Sequence, residues 1–242
     1  MYTLTTFCDS QKFEIILPLW EEQIKKTCTN YNLNIIRFTE KHLIDQKYGW
    51  WDVIRMRGII AELEKNNIAV QCDLDIIIKK DIQELIDLDY DFIIAQEINE
   101  NKAFPQECSS ILGFGVCTGF YIAKPNSLSF LKNILNDMQK DTYNTNSYSD
   151  QVNIMHTLVK NDITVEYKKI ILDNIEYENK IISFNDIKIC VLNFEIIRRD
   201  PITDKNHYAM HVNINSVGGV FNFLKYFTED FDSLLYTRSY IK

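Results

Sequence analysis

The chain is 242 residues long, 46% hydrophobic and 25% charged, with 26 basic against 34 acidic residues and a formal net charge of −8. That apolar content supports a core, which excludes a disordered chain, and no basic stripe exists to neutralise the phosphates of a nucleic acid. With 4 prolines and 7 glycines there is no Pro- or Gly-rich linker, and no apolar run approaches the roughly 20 residues of a membrane span. The expectation is a single domain over residues 1–242, cytoplasmic, without signal segment, anchor or membrane span. Cys8, Cys28, Cys72, Cys108, Cys117 and Cys190 form no C-x-x-C pair, and buried reduced thiols fit that compartment.

In chain order, Tyr2–Phe7 reads as a strand stopping at Cys8-Asp9-Ser10. Ser10 is a candidate cap for an amphipathic helix in which Phe13, Ile16, Leu17, Trp20 and Ile24 recur at helical spacing. Leu33–Phe38 is a second strand and Trp50–Lys65 a second helix. Ile68–Cys72 is an apolar strand ending in Asp73-Leu74-Asp75, and Ile76–Ile78 follows. Phe92–Ala95 and Val116–Ala123 add strands, and Leu128–Lys140 and Asp150–Val159 add helices. Strands around Val165 and Ile189, a polar loop and a helix from Ser216 to Tyr226 complete the chain. This alternation predicts an α/β sheet, parallel at its start, with ligands at the carboxyl ends of its strands.

Asp73 and Asp75 are the first candidates for chemistry. D-x-D also occurs at Asp87/Asp89, Asp89/Asp91 and Asp230/Asp232, but only Asp73-Leu74-Asp75 directly follows an apolar strand. Residues two apart on an extended segment point the same way, so both carboxylates can face one hard cation, Mg²⁺ or Mn²⁺, carrying a diphosphate. The alternative is a pair of strand-end aspartates capping a turn. Of His42, His156, His207 and His211, the last lies in an alternating run, Ala209-Met210-His211-Val212, before the small-residue stretch Ser216–Gly219. An imidazole there would bias a two-carboxylate site towards Mn²⁺, and His207 competes for the same role. No phosphate-binding loop of Walker or dinucleotide type is present, because Gly113-Phe114-Gly115 precedes a strand instead of following one.

Four blocks in order, Thr3-Leu4-Thr5-Thr6-Phe7, Val70 to Ile76, Cys117 to Ile122, and Ser149-Asp150-Gln151-Val152-Asn153, carry a resemblance across nearly the whole chain. The sequence resembles GT-A-fold, nucleotide-diphospho-sugar-dependent glycosyltransferases of the glycogenin-like and plant xylosyltransferase-like groups. The resemblance implies an α/β fold with a Rossmann-like mixed sheet flanked by helices. It also implies a nucleotide-binding half over about residues 1–100 and an acceptor half over about residues 101–242. Its implied activity is hexosyl or pentosyl transfer from a UDP-sugar to a glycan or other hydroxyl, with Mn²⁺ or Mg²⁺ and with retention. Carried over by position, Thr6 and Phe7 line the nucleoside pocket, and Arg57, or Arg55 in its place, contacts the nucleotide. Asp73 touches ribose and metal, and Asp75 and His211 complete the metal ligands. Thr118 and Gly119 lie beside the sugar, with Cys117 where the family usually has Asn. Lys225 meets the diphosphate, although the K-P-W ending of many relatives is missing. Asp150 and Gln151 match a D-Q pair on the reacting face, while Ser149-Asp150 also reads as a helix start with Asp150 as its cap. Two rival classes remain: a haloacid-dehalogenase-type phosphatase using Asp73 and Asp75, and a non-catalytic nucleotide-sugar-binding module. Aromatic residues in Glu97–Phe114 and Tyr143–Tyr148 are candidates for shaping an acceptor site.

Overall fold

Period-two alternation in the first strand decides how the chain is layered. The computed structural model describes residues 1–8, 11–37, 50–97, 104–145, 147–198 and 207–212; Ser10, His42, the expected helix Ser216–Tyr226 and Lys225 lie outside them. Strand β1 (Tyr2–Cys8) is followed by α1 (Gln11–Thr27), β2 (Tyr31–Arg37), α2 (Trp50–Glu64) and β3 (Ile68–Cys72). β2 and β3 both pair with β1 in parallel, one on each side. Right-handed crossovers to opposite sides put α1 and α2 on opposite faces of the sheet. Accordingly Tyr2 and Leu4 pack with Trp20 and Ile24 of α1, while Thr3 reaches Glu62 of α2.

The order continues through β4 (Ile76–Ile78), α3 (Gln83–Asp87), β5 (Phe92–Gln96), α4 (Gln106–Leu112) and β6 (Val116–Ala123). A short 3₁₀ turn leads to α5 (Leu128–Lys140) and α6 (Asp150–Lys160). Then come β7 (Val165–Leu172), β8 (Ile175–Phe184), β9 (Ile187–Leu192), β10 (Ile197–Arg198) and β11 (Ala209–His211). The main sheet has the order β2-β1-β3-β6-β5-β9-β8-β7, and β10-β11-β4 form a second, three-stranded sheet. β6 runs antiparallel between β3 and β5, so the sheet is mixed as the resemblance implied. One core lies between α1, the small sheet and one face of the main sheet; the other lies between the opposite face and α2, α5 and α6.

The sequence reading missed β8, although a hairpin signal was present. Asp173 and Asn174 join β7 to β8 in a two-residue turn with φ of 50° and 60°, the left-handed geometry such a hairpin demands. It also missed α3 and α4, each of seven residues or fewer. All six cysteines are free, five buried and Cys117 half-buried. Among the described residues no helix is long and apolar enough to cross a membrane.

Candidate functional site

The parallel strands β1 and β3 diverge towards opposite neighbours at their carboxyl ends, the place where open α/β sheets hold ligands. Alternation along β3 points Gln71 and Asp73 to the face covered by α2. The Asp73 N–H donates to the Gly119 carbonyl at 2.9 Å, and the Asp73 carbonyl accepts from the Ile76 N–H at 3.0 Å. A tight turn between strands therefore fixes Asp73 and Asp75. The Asp75 carbonyl accepts from the Val212 N–H at 2.8 Å, and β11 pairs antiparallel with β4 so that His211 lies opposite Ile76. That pairing brings His211 Nε2 to 3.1 Å from Asp75 Oδ1. His211 Nδ1 lies 3.4 Å from Cys117 Sγ. One ligand atom each from Asp73, Asp75 and His211 lie within 4.8 Å of one another.

Gly119 suits this packing. A Cβ there would stand 3.0 Å from His211 Cε1 and 3.1 Å from Asp73 Oδ2, tighter than most side-chain contacts, so His211 or Asp73 would have to give by a few tenths of an ångström. The approach is made possible by an irregularity in β6. Its register against β5 jumps from Ile94↔Tyr121 to Ala95↔Cys117, leaving residues 118–120 without a partner on β5.

Arg55 of α2 forms the second half of the site. Its guanidinium reaches Asp73 Oδ1 at 3.0 Å, Asp52 Oδ1 at 2.8 Å and Asp150 Oδ2 at 2.6 Å. It also donates to Thr118 Oγ1 at 3.4 Å and lies 5.4 Å from the centre of the Phe7 ring. Gln71 Nε2 donates to Asp73 Oδ1 at 2.8 Å. One cation thus serves two buried carboxylates, Asp52 and Asp150, and the half-buried Asp73. Burial pushes the Asp73 carboxyl up to about 6 against the pull of Arg55, with Asp75 adding to the rise. Burial likewise raises Asp52 well above the usual carboxylate range, with Arg55 opposing and Asp150 reinforcing. Burial alone would lower His211, but the Asp75 carboxylate and Cys117 override it and hold the imidazole well above its ordinary value. The donor set fits a divalent cation on two grounds: two carboxylates and an imidazole converge, and the surrounding charge is negative.

The expected residues fall into three groups. Asp73, Asp75, His211, Thr118 and Gly119 come together with Asp150, whose side chain is fully buried at the first turn of α6. Ser149 is the cap position there, and Asp150 is the first helical residue, with Oδ1 accepting the Gln151 N–H at 2.7 Å. Gln151 turns outward, its Nε2 donating to the Phe104 carbonyl at 2.7 Å. Thr6 is fully buried near the end of β1, its hydroxyl without a hydrogen-bond partner among the described residues. Arg57 is exposed on α2, and the arginine that meets Asp73 is Arg55. His207 is buried but does not belong to the metal-type cluster. Lys225 lies outside the described residues. Sequence reasoning missed Asp52 and Gln71. Their signals were an Asp52-x-x-Arg55 pair at helical spacing and a Gln71-x-Asp73 alternation on one strand face.

Residues 51–221 match the family model of the nucleotide-diphospho-sugar transferases. No curated protein sequence matches the chain. Among solved structures, the chain is similar to a glycosyltransferase involved in the glycosylation of the major capsid of PBCV-1. The identity is 12% and the TM-score 0.57, over 93% of this chain and 97% of that one. It is also similar to mouse xyloside xylosyltransferase 1 in its apo form, at 11% identity and a TM-score of 0.54, over 88% of this chain and 98% of that one. These alignments show a shared GT-A-type α/β fold.

Proposed function

The chain belongs to the nucleotide-diphospho-sugar transferases and is a glycosyltransferase, and from that premise we propose that it moves a sugar from a UDP-sugar to a glycan hydroxyl with retention, using a divalent cation. Membership in that family removes the phosphatase alternative. The observation that carries the proposal is the convergence of Asp73, Asp75 and His211 within 4.8 Å, packed closely against Gly119. These three residues would hold Mn²⁺, or Mg²⁺, with the imidazole favouring Mn²⁺. When bound, the cation would neutralise charge on the departing diphosphate without a proton transfer.

The protein's own groups prepare that step. Arg55 offsets part of the carboxylate charge and fixes Asp73 and Asp150 in one frame, so neither has to reorganise as charge develops. Asp150 has Oδ2 on Arg55 and Oδ1 on the Gln151 N–H, which suits an electrostatic role near the sugar better than covalent attack. Thr6 and Phe7, at the end of β1, are proposed to line the nucleoside pocket, with Thr118 and Gly119 beside the sugar. Gln151 holds the entry to α4 through Phe104 and is proposed to border the acceptor side.

Calorimetric titration of UDP, GDP and a set of UDP-sugars, with and without Mn²⁺, tests the reading on wild type and Asp75→Ala. UDP binding that requires Mn²⁺ and disappears in the variant supports it. Binding of GDP in preference to UDP, or binding indifferent to both metal and Asp75, overturns it. NMR of the product decides retention, and an inverted anomer refutes that part.

A further inference from the structure

A second group of metal-type donors lies on the far side of Gln151. Cys108 of α4 and His156 of α6 face each other across the helix pair, with Sγ 3.4 Å from Nδ1. His156 Nε2 lies 3.6 Å from Glu107 Oε1, beyond hydrogen-bond length, and has no hydrogen-bond partner among the described residues although it is buried. One ligand atom each from Glu107, Cys108 and His156 lie within 4.8 Å of one another. The ring of His156 is held in plane by Tyr143, stacked at 5.0 Å and 14°, and Tyr143 is fixed in turn by a 2.9 Å bond to Thr157.

The spacing has chemical content. A thiolate and an imidazole bound to one tetrahedral zinc at their usual bond lengths stand about 3.5 Å apart. A sulfur–nitrogen contact of 3.4 Å is therefore nearly preset for such an ion. The Glu107 side chain is 66% exposed beside His156, and its carboxylate would supply a third ligand, with water as the fourth. Hydrolytic use of the same three residues as a nucleophilic triad is unsuitable. Cys108 is 1% exposed, and burial raises its thiol to about 11, with Glu107 adding to the rise, so no reactive thiolate is available to an incoming substrate. A cation entering from the Glu107 side can displace that proton by direct coordination.

We propose that Glu107, Cys108 and His156 form a second metal site, selective for a soft divalent cation such as Zn²⁺, that clamps α4 to α6. Its sulfur ligand separates it in kind from the oxygen-rich Asp73–Asp75–His211 group. Its position gives it a structural effect on the acceptor side, because Phe104 enters α4 and is tied to Gln151 of α6. The proposal stands apart from the reading of the reaction: it concerns different residues and needs no nucleotide.

Cobalt is the probe, since a Co²⁺–thiolate bond gives a charge-transfer absorption that carboxylate and imidazole ligands alone do not. One equivalent of Co²⁺ on the full chain should produce that band, and Zn²⁺ should bleach it. The band should vanish in Cys108→Ser and in His156→Gln, and Glu107→Gln should weaken Co²⁺ binding about tenfold. Cys117→Ser should retain it, which separates this site from the thiol beside His211. If Cys108→Ser fails to fold, His156→Gln decides with Cys108 intact. No band in wild type, a band that survives loss of Cys108 or His156, or a band abolished by Cys117→Ser overturns the proposal.

Discussion

At the end of β3, two carboxylates and an imidazole arrive from distant parts of the chain and are pinned by backbone bonds from Asp73 to Gly119 and from Asp75 to Val212. Between α4 and α6, a thiol, an imidazole and a carboxylate sit on two helices, with Cys108 packed as an apolar group among the residues of the second core. The first cluster is continuous with Arg55 and the carboxylates of Asp52 and Asp150, so its charge must be balanced for the fold itself to be comfortable. The second carries no such load. A neutral thiol packs like a small hydrophobe, and Glu107 stays largely in water. Similar ligand chemistry is therefore tied to stability in one region and nearly separable from it in the other.

The largest effect expected from breaking the first cluster is catalytic. Asp75→Ala should lower turnover about 10³-fold at saturating Mn²⁺ while leaving far-UV circular dichroism unchanged. Initial rates of UDP release measure this, and a residual rate above a tenth of wild type would remove Asp75 from the ligand set. The next effect is on stability. Arg55→Met strands Asp73, Asp52 and Asp150 without their shared cation, and removing one partner of a buried ion pair costs about 3–5 kcal/mol. Urea unfolding would show it; a loss below about 1 kcal/mol would mean that the carboxylates simply take up protons. Burial already inclines Asp52 and Asp73 that way.

Much of the first cluster was legible in the sequence because its strand is a short apolar run with a sharp, acidic end. Ile68–Cys72 had the same bounds in both readings, and Asp73 and Asp75 followed directly. His211 was legible only through an alternating run of a few residues, since its place beside Asp75 depends on the pairing of β11 with β4. The choice between Arg55 and Arg57 was not legible. Residues two apart on a helix point about 200° apart, and only the seating of α2 on the sheet selects one of them. The Glu107–Cys108–His156 group left no readable signal, because two short helices from different parts of the chain create it and neither contains a spaced ligand motif.

A finer break leaves every proposed ligand in place. Gly119→Ala pushes a methyl group against His211 Cε1 and Asp73 Oδ2. Displacing groups that position a metal typically costs about 10- to 100-fold in affinity or activity. Mn²⁺ titration should show at least the lower figure, with Co²⁺ binding at Cys108 unaffected. Equal Mn²⁺ affinity in the variant and wild type would mean that His211 has room to retreat.

The smallest effect is expected where a carboxylate of α2 is already well served. Glu62 lies two turns beyond Arg55 and accepts hydrogen bonds from Thr3 at 3.0 Å, Asn67 at 3.0 Å and Lys65 at 2.6 Å. The bond from Lys65 is the main cause holding its carboxyl below the usual range, with Asn67 and Thr3 assisting against burial. A depressed carboxyl stabilises the fold above its unfolded value near pH 4.5 and loses that contribution as pH falls through the folded value. Glu62→Gln should therefore cost about 1 kcal/mol at neutral pH and flatten the acid side of the stability curve below about pH 4.5. Urea midpoints across pH 3 to 7 measure both. Because Glu62 seats the helix that carries Arg55, a large loss of turnover in this variant would mean that the ion network depends on the register of α2 as well as on its own contacts. A loss confined to the acid limb would assign the tolerance for charge to the Arg55 end alone.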